Sequence, residues 1–437
     1  MSAALEFHRA TNVPAGGTDE DEARMVGTRP LPFKEYGDAE RLPLDASIAG
    51  RLLHEGGGIV RSQERRDYGG GTIHWRAYSS AGALFPVEAY VAAEDGLYSF
   101  DVFGGALVRL RDDDARRLCA DAAAAPEIAD VAAVVVLTGI HKRTGWKYLE
   151  RGYRHIWWDA GTLLANLLAL AAADDLEPRL YTAFVDADLN AVLGVDGEHE
   201  YALALLAFGP HEARSAHLTP SDKVSLGENG ATYPVSLRAH SASSISNVDD
   251  VRAWRMPFDA EEPKHDRTAL VGALRRRRSV RSYADQPLPS DELAELLRWS
   301  EAPIPADAPP VVRQAVTVAA VDGLEPGIYD AELNLVAPRA ERELREGVGF
   351  AAMEQAHPRD AAANVFQLGD LDAIVERLGD RGYRWAQLEA GIRAGRLQIG
   401  AFMRGWGAAA STFYDDEVSR LLDTRESPLL MVAIGPR

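Results

Sequence analysis

The 437-residue chain contains a single cysteine, Cys119, which excludes an internal disulfide and any zinc or iron–sulfur site built on several thiolates. A reducing compartment, the cytoplasm, is the simplest expectation. Positive charge is scarce: 47 Lys and Arg stand against 66 Asp and Glu, for a formal net charge of −19. Such a field repels polyanions, so nucleic acid and anionic membrane are poor partners. Long apolar runs are missing as well. The longest, Leu163 to Ala173, is interrupted by Asn166 and has about half the length needed to cross a bilayer, so it reads as a buried helix. The N-terminus lacks a basic segment followed by an apolar one, does not read as a secretory signal, and is expected to be a tail over residues 1–27. The eleven histidines show neither HxxxH nor HExxH spacing, and no metal site is expected. What remains is close to the globular average, 46% hydrophobic and 26% charged, enough for two or three domains with cores of their own.

The chain contains itself twice. Residues 151–161 read RGYRHIWWDAG and residues 381–391 read RGYRWAQLEAG, with the RGYR tetrad and an acidic residue before Ala-Gly repeated 230 positions apart. Downstream, Phe184-Val185-Asp186 matches Phe413-Tyr414-Asp415 at nearly the same spacing, and upstream Gly96-Leu97-Tyr98 matches Gly327-Ile328-Tyr329. Each copy closes with an apolar run ending in Gly-Pro, Tyr201–Pro210 and Leu429–Pro436, which reads as a buried strand. In both, the RGYR block opens an apolar helix whose partner would be the other copy's. Copy one carries some fifteen extra residues around Tyr68-Gly69-Gly70-Gly71-Thr72, a turn signal. Between the copies, residues 213–267 are rich in Ser, Asp, Pro and His and read as a linker. The resulting division is 28–212 and 268–437. Without a strict βαβα rhythm or a GxGxxG after a strand, an α+β fold is expected rather than a doubly wound one. Trp157 and Trp158 read as core packing, and His141 and His155 as surface or core residues.

Arg275–Arg278 followed by Ser279, Val280 and Arg281 resembles the opening of the FMN-dependent nitroreductase superfamily, whose RxSxR/K motif binds the flavin phosphate. Arginine forks and a serine hydroxyl suit that role. Ser79-Ser80-Ala81-Gly82-Ala83-Leu84-Phe85-Pro86 is similar to the PSGGALYP loop of the SagB-type dehydrogenases, and Lys147-Tyr148 before Arg151-Gly152-Tyr153-Arg154 to their KYxxRxYR signature. The resemblance implies two tandem nitroreductase-like domains packed as an intramolecular pseudo-dimer, either monomeric or a homodimer. It implies an FMN cofactor held by Arg277, Arg278, Ser279, Arg281, Ser79, Ser80, Gly82, Phe413 and Arg437. Catalysis falls to Lys147 and Tyr148. The activity implied is oxidation of azolines to azoles in a modified peptide, with hydride passing to FMN N5 and oxygen reoxidising the flavin, in company with other biosynthetic enzymes. An NAD(P)H-dependent small-molecule reductase and a flavin-free scaffold are the alternatives.

The copies differ where the motifs fall. Copy one has Pro30 and Pro32 opposite Arg277 and Ser279, with only Lys34 opposite Arg281, and it ends Gly209-Pro210-His211 against Gly435-Pro436-Arg437. Copy two has Ile304–Pro310 in place of the serine loop and Arg377-Leu378 in place of Lys147-Tyr148. One composite site per chain is therefore expected.

Overall fold

The computed structural model describes residues 2–17, 29–64, 71–210 and 232–437. The His211 and Tyr68–Gly70 positions discussed above lie outside them. Copy one contains β1 (Arg41–Pro43), α2 (Ile48–Gly57), β2 (Ile59–Glu64), β3 (Thr72–Arg76), β4 (Val87–Ala93), β5 (Gly96–Asp101), β6 (Ala106–Arg111), α3 (Ala115–Ala122), β7 (Val131–Gly139), α4 (His141–Tyr148), α5 (Gly152–Ala173), β8 (Arg179–Tyr181), α6 (Asp186–Leu193) and β9 (Tyr201–Pro210), preceded by α1 (Ala3–Ala10). After α7 (Pro234–Ala242), α8 (Val248–Trp254) and α9 (Arg267–Arg276), copy two contains α10 (Ser290–Glu301), β10 (Arg313–Val318), β11 (Gly327–Asp330), β12 (Leu335–Pro338), α11 (Glu341–Ala351), α12 (Ala356–Asp360), β13 (Ala363–Gly369), α13 (Leu371–Met403), β14 (Gly407–Ser411), α14 (Asp415–Leu422) and β15 (Ser427–Gly435).

The two main sheets repeat one topology. Copy one orders its strands β1-β6-β5-β4-β7-β9-β8 and copy two β12-β11-β10-β13-β15-β14, so every strand of the second has a counterpart and β1 is an added edge. All pairs within them are antiparallel, as expected of an α+β rather than a doubly wound fold. Copy one also pairs β2 with β3, a two-stranded unit without a counterpart among the strands of copy two, and β3 leads directly into the serine loop.

Helix α5 is buried on every side apart from its last residue, the behaviour of an apolar helix at the centre of a fold. The stretch His141–Ala173 has the length and composition to cross a membrane, but its apolar 18-residue core is almost wholly buried inside the chain. Its counterpart α13 begins earlier and kinks at Gly379, where φ is +64°, a conformation glycine adopts without steric cost. α5 and α13 cross at Gly161 and Gly391: a Cβ on Gly161 would stand 2.6 Å from the Gly391 backbone. One hydrophobic cluster runs through both copies at this crossing, while separate clusters fill the outer faces of the two sheets.

The duplicated sequence blocks turn out to be the two halves of a reciprocal latch. Arg151 and Arg154 of copy one pair with Asp415 of copy two, each at 2.9 Å, and Arg381 and Arg384 of copy two pair with Asp186 of copy one, each at 2.6 Å. All six side chains are buried. Burial opposes the charge on both carboxylates, yet the paired guanidiniums hold Asp186 and Asp415 below the usual carboxylate range.

The expected tail and linker differ from the structure in an informative way. Helix α1 packs its Ala4, Phe7 and His8 inward, and the chain after it completes one latch: Thr11 and Asn12 accept from Arg151 and Arg154, and Val13 N–H donates to Asp415. Helix α7 does the same for the other, with Ser243 accepting from Arg381 and Arg384 and Ile245 N–H donating to Asp186. His8 meets Tyr383 at 3.3 Å and His240 meets Tyr153 at 3.2 Å. The duplication therefore includes α1 and α7, so each copy begins with its own short helix.

Candidate functional site

Between β3 and β4 the chain makes the serine loop, and side chains from several elements fix it. Ser80 Oγ donates to Asp159 on α5 at 2.5 Å, Ala81 N–H donates to the other carboxylate oxygen at 3.1 Å, and Phe85 N–H donates back to Ser80 Oγ at 2.8 Å. The loop carbonyls are taken in turn: Ser79 by Thr162 at 2.7 Å, Ala83 by Arg29 at 2.6 Å, Phe85 by Arg143 at 2.9 Å. Arg143 is itself neutralised by buried Glu88 at 2.6 Å. Within these braces φ is +62° at Gly82, +51° at Ala83 and +46° at Phe85. Strain at the two non-glycine residues costs about 1–3 kcal/mol each and persists only where the surroundings over-determine it, typically at ligand sites. Ser79 to Ala83 remain half-buried, so the loop keeps an open edge.

Copy two reaches this loop from the end of α9. Arg277 donates to the carbonyls of Ala77 at 2.7 Å and Tyr78 at 2.9 Å, the two residues before Ser79. Burial pushes its pKa down to about 10. The expectation that Arg277 offers its guanidinium to a phosphate is corrected here: the fork is spent on the backbone oxygens of residues 76–78 and on Gln398, and ties copy two to the loop of copy one. Arg278, Ser279 and Arg281 are exposed, and the Ser279–Val280 backbone bridges to Ala408 of β14. Arg437 donates to Gly405 O at 3.1 Å and lies 4.7 Å from the Phe402 ring centroid. Partial burial, then the positive charges of nearby Arg278 and Arg276, lower its pKa. Arg276 and Arg278 form no ion pair among the described residues. The charge of Arg281 adds to burial in lowering the pKa of His357 to about 4, and His357 also meets Ser411 at 2.6 Å.

Lys147 and Tyr148 close α4. The Tyr148 ring stacks on His155 at 4.0 Å, and the Lys147 ammonium lies 5.2 Å from the Tyr148 centroid. The Tyr148 hydroxyl would be 3.3 Å from a Cβ on Gly82, so the pair borders the serine loop. His155 is buried with neither ring nitrogen hydrogen-bonded among the described residues, and burial, then Arg151 and Arg154, lower its pKa well below its ordinary value. His141 is likewise a core residue, stacked on Tyr233 at 4.1 Å, and Trp157 and Trp158 are buried as expected.

Two sequence assignments fail. Phe413 is fully buried in the outer core of copy two, with Phe366, Val418 and Met431, and is not on the loop. Lys34 does not occupy a position equivalent to Arg281: it is buried within copy one's own sheet, paired with Glu200 at 2.6 Å beside Tyr90. Its segment instead lies over the serine loop, where Pro32 O accepts from Arg76 and Arg29 holds Ala83. Sequence reasoning missed Asp159, although it is the acidic residue before Ala-Gly that marks both copies.

At the pseudo-symmetric position residues 305–309 of the copy-two segment are buried. Ala306 bridges to Leu180 of β8, and buried Asp307 accepts from the N–H groups of Thr182 at 2.7 Å and Ala183 at 3.2 Å. Arg255, which follows α8, lies against Asp307 at 3.9 Å.

Residues 46–210 and 274–436 each match the Nitroreductase family. The chain belongs to the nitroreductase family. A candidate nitroreductase of Methanocaldococcus jannaschii is 28% identical over 190 residues, 41% of this chain and 96% of the relative, so that nitroreductase has the length of one copy. The crystal structure of a candidate nitroreductase from Anabaena variabilis aligns over 100% of both chains with a TM-score of 0.82 at 24% identity, and shares the tandem fold. The E. coli microcin synthetase McbBCD complex, 18% identical over 45% of this chain and 74% of its own, gives a TM-score of 0.31, too low to carry an argument. Nitroreductase-family proteins are oxidoreductases whose members bind FMN. The residues here fit such a group: three clustered guanidiniums suit a phosphate, and a strained small-residue loop suits the close approach of a flat ring.

Proposed function

We propose that this nitroreductase is an FMN-dependent dehydrogenase of the SagB type that oxidises azolines in a modified peptide to azoles, with one composite site per chain. The observation that carries the reading is the convergence of halves from different copies. Arg277 of copy two bonds the backbone before Ser79 of copy one, and Tyr148 of copy one borders Gly82. Arg278 and Arg437, with Arg276 beside them, would hold the phosphate, and the Ser79–Gly82 edge would border the ring. FMN, when bound, supplies the two-electron chemistry. Aromatising an azoline also releases a proton from ring carbon, and the chain's part is to take it. Lys147 and Tyr148 stand at the loop in a column with His155, and their ring-on-ring and cation–ring contacts keep the pair in place. Removing a general base costs about two to four orders of magnitude in rate.

The test uses purified protein with an azoline-containing peptide and, separately, NADPH. Azole formation that drops at least a hundredfold in Lys147→Ala or Tyr148→Phe, with flavin retained, supports the proposal. NADPH oxidation without azole formation would replace it with a small-molecule reductase, and protein isolated free of flavin would replace it with a scaffold.

A further inference from the structure

The duplication supplies an internal comparison that singles out one buried acid. Glu389 of α13 and Asp159 of α5 stand 230 positions apart in the repeated blocks, and each receives a backbone N–H from its own copy's loop, Val311 at 2.8 Å and Ala81 at 3.1 Å. Glu389 has a counter-ion one turn on: Arg393 bonds it at 3.0 and 2.8 Å, with both side chains buried. The residue corresponding to Arg393 in copy one is Leu163. Asp159 is buried with no ion pair among the described residues, and its hydrogen-bond partners are Ser80 Oγ and Ala81 N–H. The copy that retains the serine loop and the Lys-Tyr pair is thus the copy whose loop-bearing acid is uncompensated.

The groups around Asp159 do not neutralise it. From the loop side come Tyr78, with Arg277 bonded to its carbonyl. Arg29 and Arg143 are engaged on the Ala83 and Phe85 carbonyls. His155 stands one turn before Asp159 on α5, stacked on Tyr148 of α4, whose ring centroid lies 5.2 Å from the Lys147 ammonium.

We infer that Asp159 is an ionisable positioning residue of the proposed site, whose gain or loss of a proton reverses its hydrogen bond with Ser80. As a carboxylate, Asp159 accepts the Ser80 proton. When it takes a proton from solvent, the acid O–H becomes the donor to Ser80 Oγ, which already accepts from Phe85 N–H. Both lone pairs of the serine are then in use and its own proton is released for a ligand. Burial raises the Asp159 pKa to about 7, against the two hydrogen bonds that lower it, so the reversal falls in the neutral range.

This inference rests on the proposed function for its activity readout but not for its stability readout. Asp159 is raised from an unfolded value of about 3.9, so its protonated form favours the fold. That contribution is complete at acid pH and is lost as the pH rises toward about 7. Thermal melts of the flavin-free protein from pH 5 to pH 8 should therefore show wild type losing several degrees relative to Asp159→Asn. Parallel curves would overturn the inference whether or not the protein is a flavoenzyme. In azole formation, wild type should show an inflection near pH 7 that disappears in both Asp159→Asn and Ser80→Ala, whereas Lys147→Ala should be slower but keep it. An inflection that survives in Ser80→Ala would refute the reversal. Absence of azole formation in wild type, with the melts diverging as expected, would count against the proposed function and leave the titration of Asp159 established.

Discussion

Replacing Asp415 by Asn removes one charge from a site where two guanidiniums are buried with almost no exposure. Arg151 and Arg154 each lose a 2.9 Å ion pair, and the amide that replaces the carboxylate cannot accept from both while also receiving Val13 N–H at 2.9 Å. Taking one partner from a buried pair costs about 3–5 kcal/mol, chiefly because the other charge stays behind uncompensated. The same figure applies to Asp186→Asn, where Arg381 and Arg384 are stranded. Urea unfolding at pH 7 should show each variant destabilised by that amount. Arg154→Met added to Asp415→Asn should cost less than the sum of the two single changes, since the stranded charge is removed with its partner. The acid side provides a sign check. Because Asp186 is held below its unfolded value, its contribution is present above about pH 4 and is lost as the pH falls through the folded value. Asp186→Asn should therefore flatten the acid limb of the stability curve without altering the alkaline limb. A loss under about 1 kcal/mol in both Asn variants would refute the view that these arginine pairs join the copies.

Other expectations follow from the same geometry. Gly161→Ala places a methyl 2.6 Å from the Gly391 backbone at the crossing of α5 and α13, and overpacking of this kind should cost about 1–3 kcal/mol in a thermal melt. Arg278→Ala and Arg437→Ala should each weaken flavin retention on dialysis while leaving the melt of the flavin-free protein nearly unchanged. Lys34→Ala should do the opposite, because it strands buried Glu200 and leaves the guanidinium cluster intact.

The duplication was legible because its strongest blocks are the latch residues, whose charges must be kept in both copies for the pairs to form. The closing strands were legible from their uninterrupted apolar runs, and β9 and β15 lie where those runs fall. Helices α1 and α7 were not. They are short, their sequences have diverged, and what they preserve is a histidine facing a tyrosine and a set of backbone contacts, none of which leaves a strong local pattern. Lys34 was misplaced because motif order was taken as spatial order, whereas the chain before β1 leaves its pseudo-symmetric position and crosses the serine loop. Phe413 was assigned to the cofactor through the family resemblance, but its block serves the latch and the ring fills the outer core. Asp159 stood within the clearest repeat, and what distinguishes it is the leucine at 163 where copy two has an arginine, a difference that acquires meaning only when the two helices are superposed.

The central claim is that halves of the two copies combine into one flavin site while buried residues 305–309, Asp307 among them, occupy the pseudo-symmetric position. The ratio of released FMN to protein, after saturation with FMN and removal of the excess, tests it most directly. The account predicts a single FMN per chain. A ratio of two would mean that both pseudo-symmetric positions accept the cofactor, and a ratio near zero would mean that the convergence of Arg277, Ser79–Gly82 and Tyr148 serves no flavin at all.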